Sequence, residues 1–318
     1  MVDNKYINLD EVNHDDIRVF FDKGFGNLLI RMLIALKECL LKRIPLGFFL
    51  KQNWNLDTAK NIYKAGLTTA LKRKIFKSKQ NKEIRIFGYK LDFLEDNNRN
   101  HYAFYVLMSL IDQIVLNDQY HVKEFIKKDS VVIDAGANIG IFSLYAHQLE
   151  PTVDIYAFEP TSSVFQILEQ NIKNNDLEKN ISIHNLALGD VIGEKEILMN
   201  LSDPDGLGVG NSLIDSGCRS NIDKLNKQKI QITTIDNFVK NQHLTKVDFI
   251  KIDTEGYEKQ IIKGAIETIK NFHPVIACSG YHLKDDIIEI PKLLLSIDNK
   301  YKYILTQESD QDFIFWQE

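Results

Sequence analysis

The sequence predicts an α/β protein built on a doubly wound, mostly parallel sheet, and three observations predict it. The run Val131-Val132-Ile133-Asp134-Ala135-Gly136-Ala137-Asn138-Ile139-Gly140 closes an apolar strand on an acid, turns through glycines and opens into the helical pattern Ile141 to His147. Continuous rather than alternating apolarity is what a parallel strand covered on both faces requires. From Ser130 onward, strands and helices alternate, the pattern of βα units rather than of hairpins. Near the end, Tyr301 to Thr306 and Phe313 to Trp316 fit an antiparallel closing hairpin.

The elements follow in order. Met1 to Lys5 begins a polar segment without the apolar core of a signal peptide. Leu28 to Arg43 is apolar, but charges recur every few residues and it is too short for an uninterrupted membrane span. It reads as an amphipathic helix packed on the following domain or on a second subunit, which would make a homodimer. Peripheral membrane contact through Arg31, Lys37, Lys42 and Arg43 is the alternative. The helical pattern continues over 54–82 and runs into a basic stretch containing Lys72, Arg73, Lys74, Lys77, Lys79 and Lys82, a solvated face or linker, or a surface for an anionic acceptor. Glu83 to Phe93 alternates as a strand pair around Gly88 would. Helices at Tyr102 to Leu116 and Gln119 to Ile126 then lead into Ser130. The division falls between a helical N-terminal region, 1–85, and a domain spanning 86–318.

In that domain the predicted strands are Val131 to Ala135, Val153 to Phe158, Ile181 to Ala187, Val247 to Ile252 and Val275 to Cys278, before the hairpin. Helices fill the intervals at about 139–149 and at Ser162 to Asn174. The segment Ser202 to Ser212 is the glycine-richest part of the chain and stands where a lid or acceptor-binding loop would. Ile230 to Ile235 alternates like a further strand, with a helix starting at Asp236.

Composition narrows the function classes. A net charge of -5 over 318 residues offers no electrostatic footprint for nucleic acid. The three cysteines, Cys39, Cys218 and Cys278, are scattered and odd in number, which suits a reducing compartment and gives no zinc spacing. The remaining histidines, among them His101, His121, His147, His184, His243 and His273, likewise lack ligand spacing.

The turn at Gly136 chooses between ligands. A dinucleotide fingerprint starting there needs glycines at positions 138 and 141, where the chain has Asn138 and Ile141. An NAD-dependent oxidoreductase is thereby opposed. Asp134, as the last strand residue, suits a ligand carrying ammonium and sulfonium groups better than a diphosphate. Glu159, at the end of the second strand, can accept two hydrogen bonds from ribose hydroxyls, and Pro160 fixes the turn into the next helix.

Four blocks then carry a resemblance. Asp134 to Gly140, Phe158-Glu159-Pro160, Ala187-Leu188-Gly189-Asp190 and Lys251-Ile252-Asp253-Thr254-Glu255-Gly256-Tyr257-Glu258 resemble, in this order, FkbM-type methyltransferases. The last block fits Lys-Ile/Leu-Asp-x-Glu-Gly-x-Glu, and Lys263-Gly264-Ala265 stands where that family carries a Lys/Arg-Gly-Ala step. The resemblance covers about residues 125–318. It implies a Rossmann-like class I methyltransferase fold, a seven-stranded mostly parallel sheet with the closing hairpin, and S-adenosylmethionine as methyl donor. It further implies O-methyl transfer onto a hydroxyl-bearing small molecule or glycan. Donor contacts are implied for Asp134, Gly136, Ala137, Asn138, Gly140, Glu159, Pro160, Ala187 and Asp253. Where many members have an acid-rich ending after the fifth strand, this chain has Ser279-Gly280-Tyr281-His282.

Asp253, Glu255 and His282 lie at the carboxyl ends of the fourth and fifth strands, the edge where open α/β sheets bind ligands, and are the candidate catalytic residues. His282 is the preferred general base because imidazole titrates near working pH, with helix capping or acceptor binding as its bland reading. Glu255 has a structural alternative, satisfying helix-start amides. The spacing identifies no metal. A Pro-rich aromatic motif for holding a flipped base is absent after the fourth strand, which disfavours nucleobase methylation. The expectation is a cytoplasmic O-methyltransferase acting on a glycan or glycosylated precursor. O-methylation of a secondary metabolite and a non-catalytic scaffolding subunit of the same fold are the alternatives.

Overall fold

The structure is a computed structural model that describes residues 6–8, 83–86, 89–91, 110–198, 213, 227–306 and 311–318. The amphipathic stretch 28–43, the helical pattern over 54–82 with its basic run, and the glycine-rich 202–212 lie outside the described residues. The chain divides into two compact units, Met1–Leu91 with Phe104–Met108, and Asp92–Ala103 with Ser109–Glu318. In the first, β1 (Tyr6–Asn8), β2 (Glu83–Ile86) and β3 (Tyr89–Leu91) form a three-stranded sheet. The β2–β3 pair is antiparallel, as the alternation around Gly88 predicts.

The second unit holds a seven-stranded sheet. Its strands are β4 (Val131–Ala135), β5 (Asp154–Phe158), β6 (Ile181–His184), β10 (Phe249–Ile252), β11 (Val275–Ser279), β12 (Lys302–Leu305) and β13 (Asp312–Trp316), in the order β12-β13-β11-β10-β4-β5-β6. All neighbours pair in parallel except β13, which runs antiparallel to both β11 and β12. Every residue of β4 and β10 is buried, as strands covered on both faces must be. The helices are α1 (Val122–Phe125), α2 (Ile141–Leu149), α3 (Ser162–Lys173), α4 (Ile235–Asn241), α5 (Glu258–Lys263), α6 (Ile266–Phe272) and α7 (Asp286–Ile297).

Strand order locates the ligand edge. From β4 the chain steps outward through β5 to β6, then returns to the other side of β4 for β10 and β11. The order therefore reverses between β4 and β10, and a crevice opens beyond the carboxyl ends of strands at such a point. Those ends are Ala135, leading into Gly136, and Ile252, leading into Asp253.

Three elements differ from expectation. The predicted third strand, 181–187, splits: β6 ends at His184, and β7 (Ala187–Leu188) joins a separate sheet. Asn185 makes the break, its Nδ2 donating to the carbonyls of Glu159 and Pro160 at 2.8 and 3.0 Å instead of continuing the ladder. That second sheet, ordered β7-β9-β8, combines β9 (Lys227–Thr233) with β8 (Gly193–Leu198), a strand not anticipated from sequence. β9 is antiparallel to β8 but parallel to β7, and it does not extend the main sheet. Finally, the helix expected over 119–126 contracts to α1, because the Asp118 carboxylate takes the Val122 and Lys123 amides at 3.0 and 3.3 Å and starts the helix there. Before it, Ile111–Leu116 forms a π-helical turn.

Candidate functional site at the carboxyl edge of the sheet

The turn after β4 is fixed by its neighbours. Gly136 has a φ of 79°, and a Cβ there would overlap the Asp253 carbonyl oxygen, so the side-chain-free residue is what lets the β4 and β10 ends approach. The Gly136 and Ala137 amides donate to the Phe158 carbonyl at 3.1 and 2.9 Å, joining the turn to the end of β5. Asn138 takes a left-handed φ of 52°, which its side chain supports by accepting the Ile139 amide at 2.8 Å. Gly140, at φ 96°, is the N-cap of α2.

Beneath this turn lies an ion pair that sequence reasoning did not assign. Asp134 is wholly buried; its Oδ2 accepts from Ser143 Oγ at 2.7 Å, and Lys251 Nζ stands 3.2 Å from Oδ1, in ion-pair range but without hydrogen-bond alignment. Lys251 Nζ instead donates to the Gly136 carbonyl at 2.6 Å. The lysine thus ties β10 to the glycine turn, and Asp134, the expected donor contact, is enclosed beneath that turn.

Glu159 is buried at the end of β5. Its Oε2 accepts the Asn138 amide at 3.1 Å and its Oε1 the Thr161 amide at 2.8 Å. Burial pushes its carboxyl above the usual carboxylate range, against the amides of Thr161 and Asn138 and the charge of Lys251, which pull it down. Pro160 precedes Thr161, the N-cap of α3, and Ala187 is buried in β7 opposite Ile232.

Asp253, Glu255 and His282 do come together. His282 Nε2 is 3.3 Å from Glu255 Oε2 and 3.7 Å from Asp253 Oδ1, while Nδ1 is hydrogen-bonded to Glu258 Oε1 at 2.9 Å. Burial lowers the imidazole pKa, but Glu258, then Asp253 and Glu255, more than reverse this and raise it to about 9. A pKa raised in this way favours the protonated imidazole at neutral pH, which weighs against the base role suggested by its ordinary value. Asp253 accepts from Tyr120 Oη at 2.7 Å; burial pushes its carboxyl up, and Lys251, His282, Tyr120 and Ser279 outweigh that and hold it below the usual range. Tyr120 is fully buried, and burial with the Asp253 charge drives its phenol well above its ordinary value, so it stays a donor. Tyr281 is exposed beside the cluster, its ring centroid 4.2 Å from that of His282.

Glu258 takes the structural role that stood as the alternative for Glu255. Fully buried at the start of α5, its Oε1 accepts the Thr254 amide at 2.9 Å, the Gly256 amide at 3.2 Å and the Thr254 hydroxyl at 3.3 Å, besides the imidazole. Glu255, at a left-handed φ of 59°, is left at the rim. The motif contained Glu258, but which of two acids three residues apart turns inward depends on the turn. Tyr120 stands 133 residues from its partner Asp253, and no local pattern marks it.

Comparison with known proteins agrees with this architecture. The sequence model of a family described as "Methyltransferase FkbM domain" matches residues 134–305. Methyltransferase 1 of Beauveria bassiana is 25% identical over 196 residues, covering 49% of this chain and 76% of that protein. The 31-O-demethyl-FK506 methyltransferase FkbM of Streptomyces tacrolimicus is 24% identical over 159 residues, 44% of this chain and 60% of the relative. Hexuronic acid methyltransferase AglP of Haloferax volcanii is 25% identical over 190 residues, 59% of this chain and 70% of the relative.

Proposed function

The chain belongs to the FkbM methyltransferase family and is a methyltransferase, and from that premise we propose that it transfers a methyl group from S-adenosylmethionine to a hydroxyl of a sugar or glycan. The observation that carries the reading is the convergence, at the switch point of the sheet, of the Gly136 turn, Glu159 and the Asp253–Glu255–His282 cluster. A donor bearing a sulfonium, an ammonium and a ribose suits an edge rich in carboxylates. Glu159 accepts the Asn138 and Thr161 amides and the Thr161 side chain, and its remaining acceptor capacity suits a ribose hydroxyl.

S-adenosylmethionine supplies a methyl group already activated by its sulfonium, so the work left to the chain is alignment of the acceptor and management of its proton. His282, charged at neutral pH, steadies an acceptor oxygen as its proton leaves, and Nδ1 is held by Glu258 so that Nε2 faces the rim. The proton acceptor is then a rim carboxylate, Glu255 with Asp253 beside it. Exposed Tyr281 offers an aromatic face on which a sugar ring can rest. The sugar reading draws further support from the relative that acts on hexuronic acid.

Calorimetric titration of the full chain with S-adenosylmethionine tests the donor; no binding at millimolar concentration refutes it. Mass spectrometry of glycans from cells with and without the gene tests the acceptor. Loss of an increment of about 14 daltons, one CH₂, supports a glycan acceptor. Unchanged glycans beside a demethylated small metabolite would move the reading to secondary metabolism.

A further inference from the structure

We propose that Lys251 is a positioning residue for the methyl donor: from beneath the turn it holds the peptide between Gly136 and Ala137 in one orientation, so that the donor edge is formed before the donor arrives. That role rests on the donor reading above. A turn ordered in advance spares the ligand the cost of ordering it.

The need for such a residue comes from the glycine itself. Glycine has the widest choice of φ and ψ, so Gly136, which the close approach to the Asp253 carbonyl requires, also leaves the peptide that follows it free to rotate. A planar peptide is fixed when both of its poles are held. The Gly136 carbonyl accepts from Lys251 Nζ at 2.6 Å, and the Ala137 amide, the other pole of the same peptide, donates to the Phe158 carbonyl at 2.9 Å. One pole is thereby tied to β10 and the other to β5, the two strands that flank β4. The next amide, that of Asn138, then meets Glu159 Oε2 at 3.1 Å.

The lysine is held in turn. Lys251 stands directly opposite Asp134 in the pairing of β10 with β4, with Nζ 3.2 Å from Oδ1, and the rings of Tyr120 and Phe142 lie 5.7 and 5.9 Å from the ammonium. Stability does not account for this pair. A buried ion pair loses about as much hydration free energy as its attraction returns, and apolar residues of similar volume often serve as well. What an apolar pair lacks is the bond to the turn. The same ammonium also acts on the acids of the edge. Burial pushes the Glu159 carboxyl up, and Lys251 is among the groups that pull it back, after Thr161 and Asn138. Burial raises the Asp253 carboxyl too, and Lys251 comes foremost among the groups, with His282, Tyr120 and Ser279, that bring it below the usual range.

Lys251→Met alone strands the buried Asp134 charge and can unfold the chain, so the deciding variant is Lys251→Met with Asp134→Asn, which removes both charges and keeps an acceptor for Ser143. Nuclear magnetic resonance of the donor-free full chain should find amide hydrogen exchange faster by about tenfold or more at Ala137 and Asn138, with Glu150 in the cap of α2 and Ile155 in β5 unchanged. Asp134→Asn alone, which leaves the lysine on the Gly136 carbonyl, should keep wild-type exchange at both turn amides. Calorimetric titration of the double variant with S-adenosylmethionine should give a Kd raised about tenfold, the factor expected if the turn holds the binding orientation about one time in ten. Lys229→Met, which removes a surface lysine paired with Glu194, should leave the Kd unchanged. Wild-type exchange at Ala137 and Asn138 in the double variant, equal acceleration at all four amides, or a loosened turn with unchanged donor affinity overturns the proposal. Absence of donor binding in the wild type refutes the donor reading instead, and the exchange rates still decide whether Lys251 holds the turn.

Discussion

At the scale of single residues, Gly136 and Glu159 carry the donor edge for different reasons. Gly136 is required by contact as well as by conformation: a side chain would meet the Asp253 carbonyl, and its φ lies in the left-handed region. Gly136→Ala should cost about 1–3 kcal/mol in urea unfolding and abolish donor binding, because relief requires the β4 and β10 ends to separate. Glu159→Gln keeps the shape but replaces one acceptor oxygen by a donor facing a backbone amide. Calorimetry should show about tenfold weaker donor binding in that variant; unchanged affinity would take Glu159 out of the site. Both residues were legible in the sequence, the glycine from its place between strand and helix and the acid from its place at a strand end. Lys251 and Tyr120 were not assigned, since a lysine inside an apolar strand and a tyrosine before the domain's first strand acquire meaning only from what they touch.

At the scale of elements, the segment joining β10 to α5 is the most informative. Its backbone amides at Thr254 and Gly256 converge on one oxygen of Glu258, which also holds the imidazole from the loop after β11. Glu258→Gln should therefore act on two elements at once. Nuclear magnetic resonance of the variant should find the His282 pKa well below about 9, displaced toward its ordinary value, because the hydrogen bond and charge of Glu258 are the main causes that raise it. An unshifted imidazole would mean that Asp253 and Glu255 suffice. Tyr120→Phe removes the hydroxyl that donates to Asp253 and leaves a partly buried carboxylate oxygen short of a partner, at a cost of about 1 kcal/mol in thermal or urea unfolding. The main-sheet strands and their helices were readable because apolar runs bounded by turns recur along 131–158 and 247–279. The β7-β9-β8 sheet was only half readable: β9 alternates visibly, whereas β8 has apolar residues only at its last two positions and β7 is two residues long.

At the scale of the whole molecule, the cluster couples stability to pH. An imidazole that titrates near 6.5 when unfolded and at about 9 in the fold favours the folded state fully below pH 6.5, and this contribution is lost as pH rises through 9. The Tm should therefore fall by a few degrees between pH 7 and pH 10 through this group, and His282→Gln should flatten that slope. A variant with the same slope as the wild type would assign it to other groups.

The sequence by itself determined the α/β class, the order of the main strands, the position of the glycine turn and the family, because each depends on residues adjacent in the chain and on periodicity imposed by burial. Only the tertiary structure decided the charge of His282, the inward turn of Glu258 and the enclosure of Asp134. Protonation and partnership are set by groups brought together across β4, β10 and β11. No local spacing encodes the distance between a carboxylate at 253, one at 258 and an imidazole at 282.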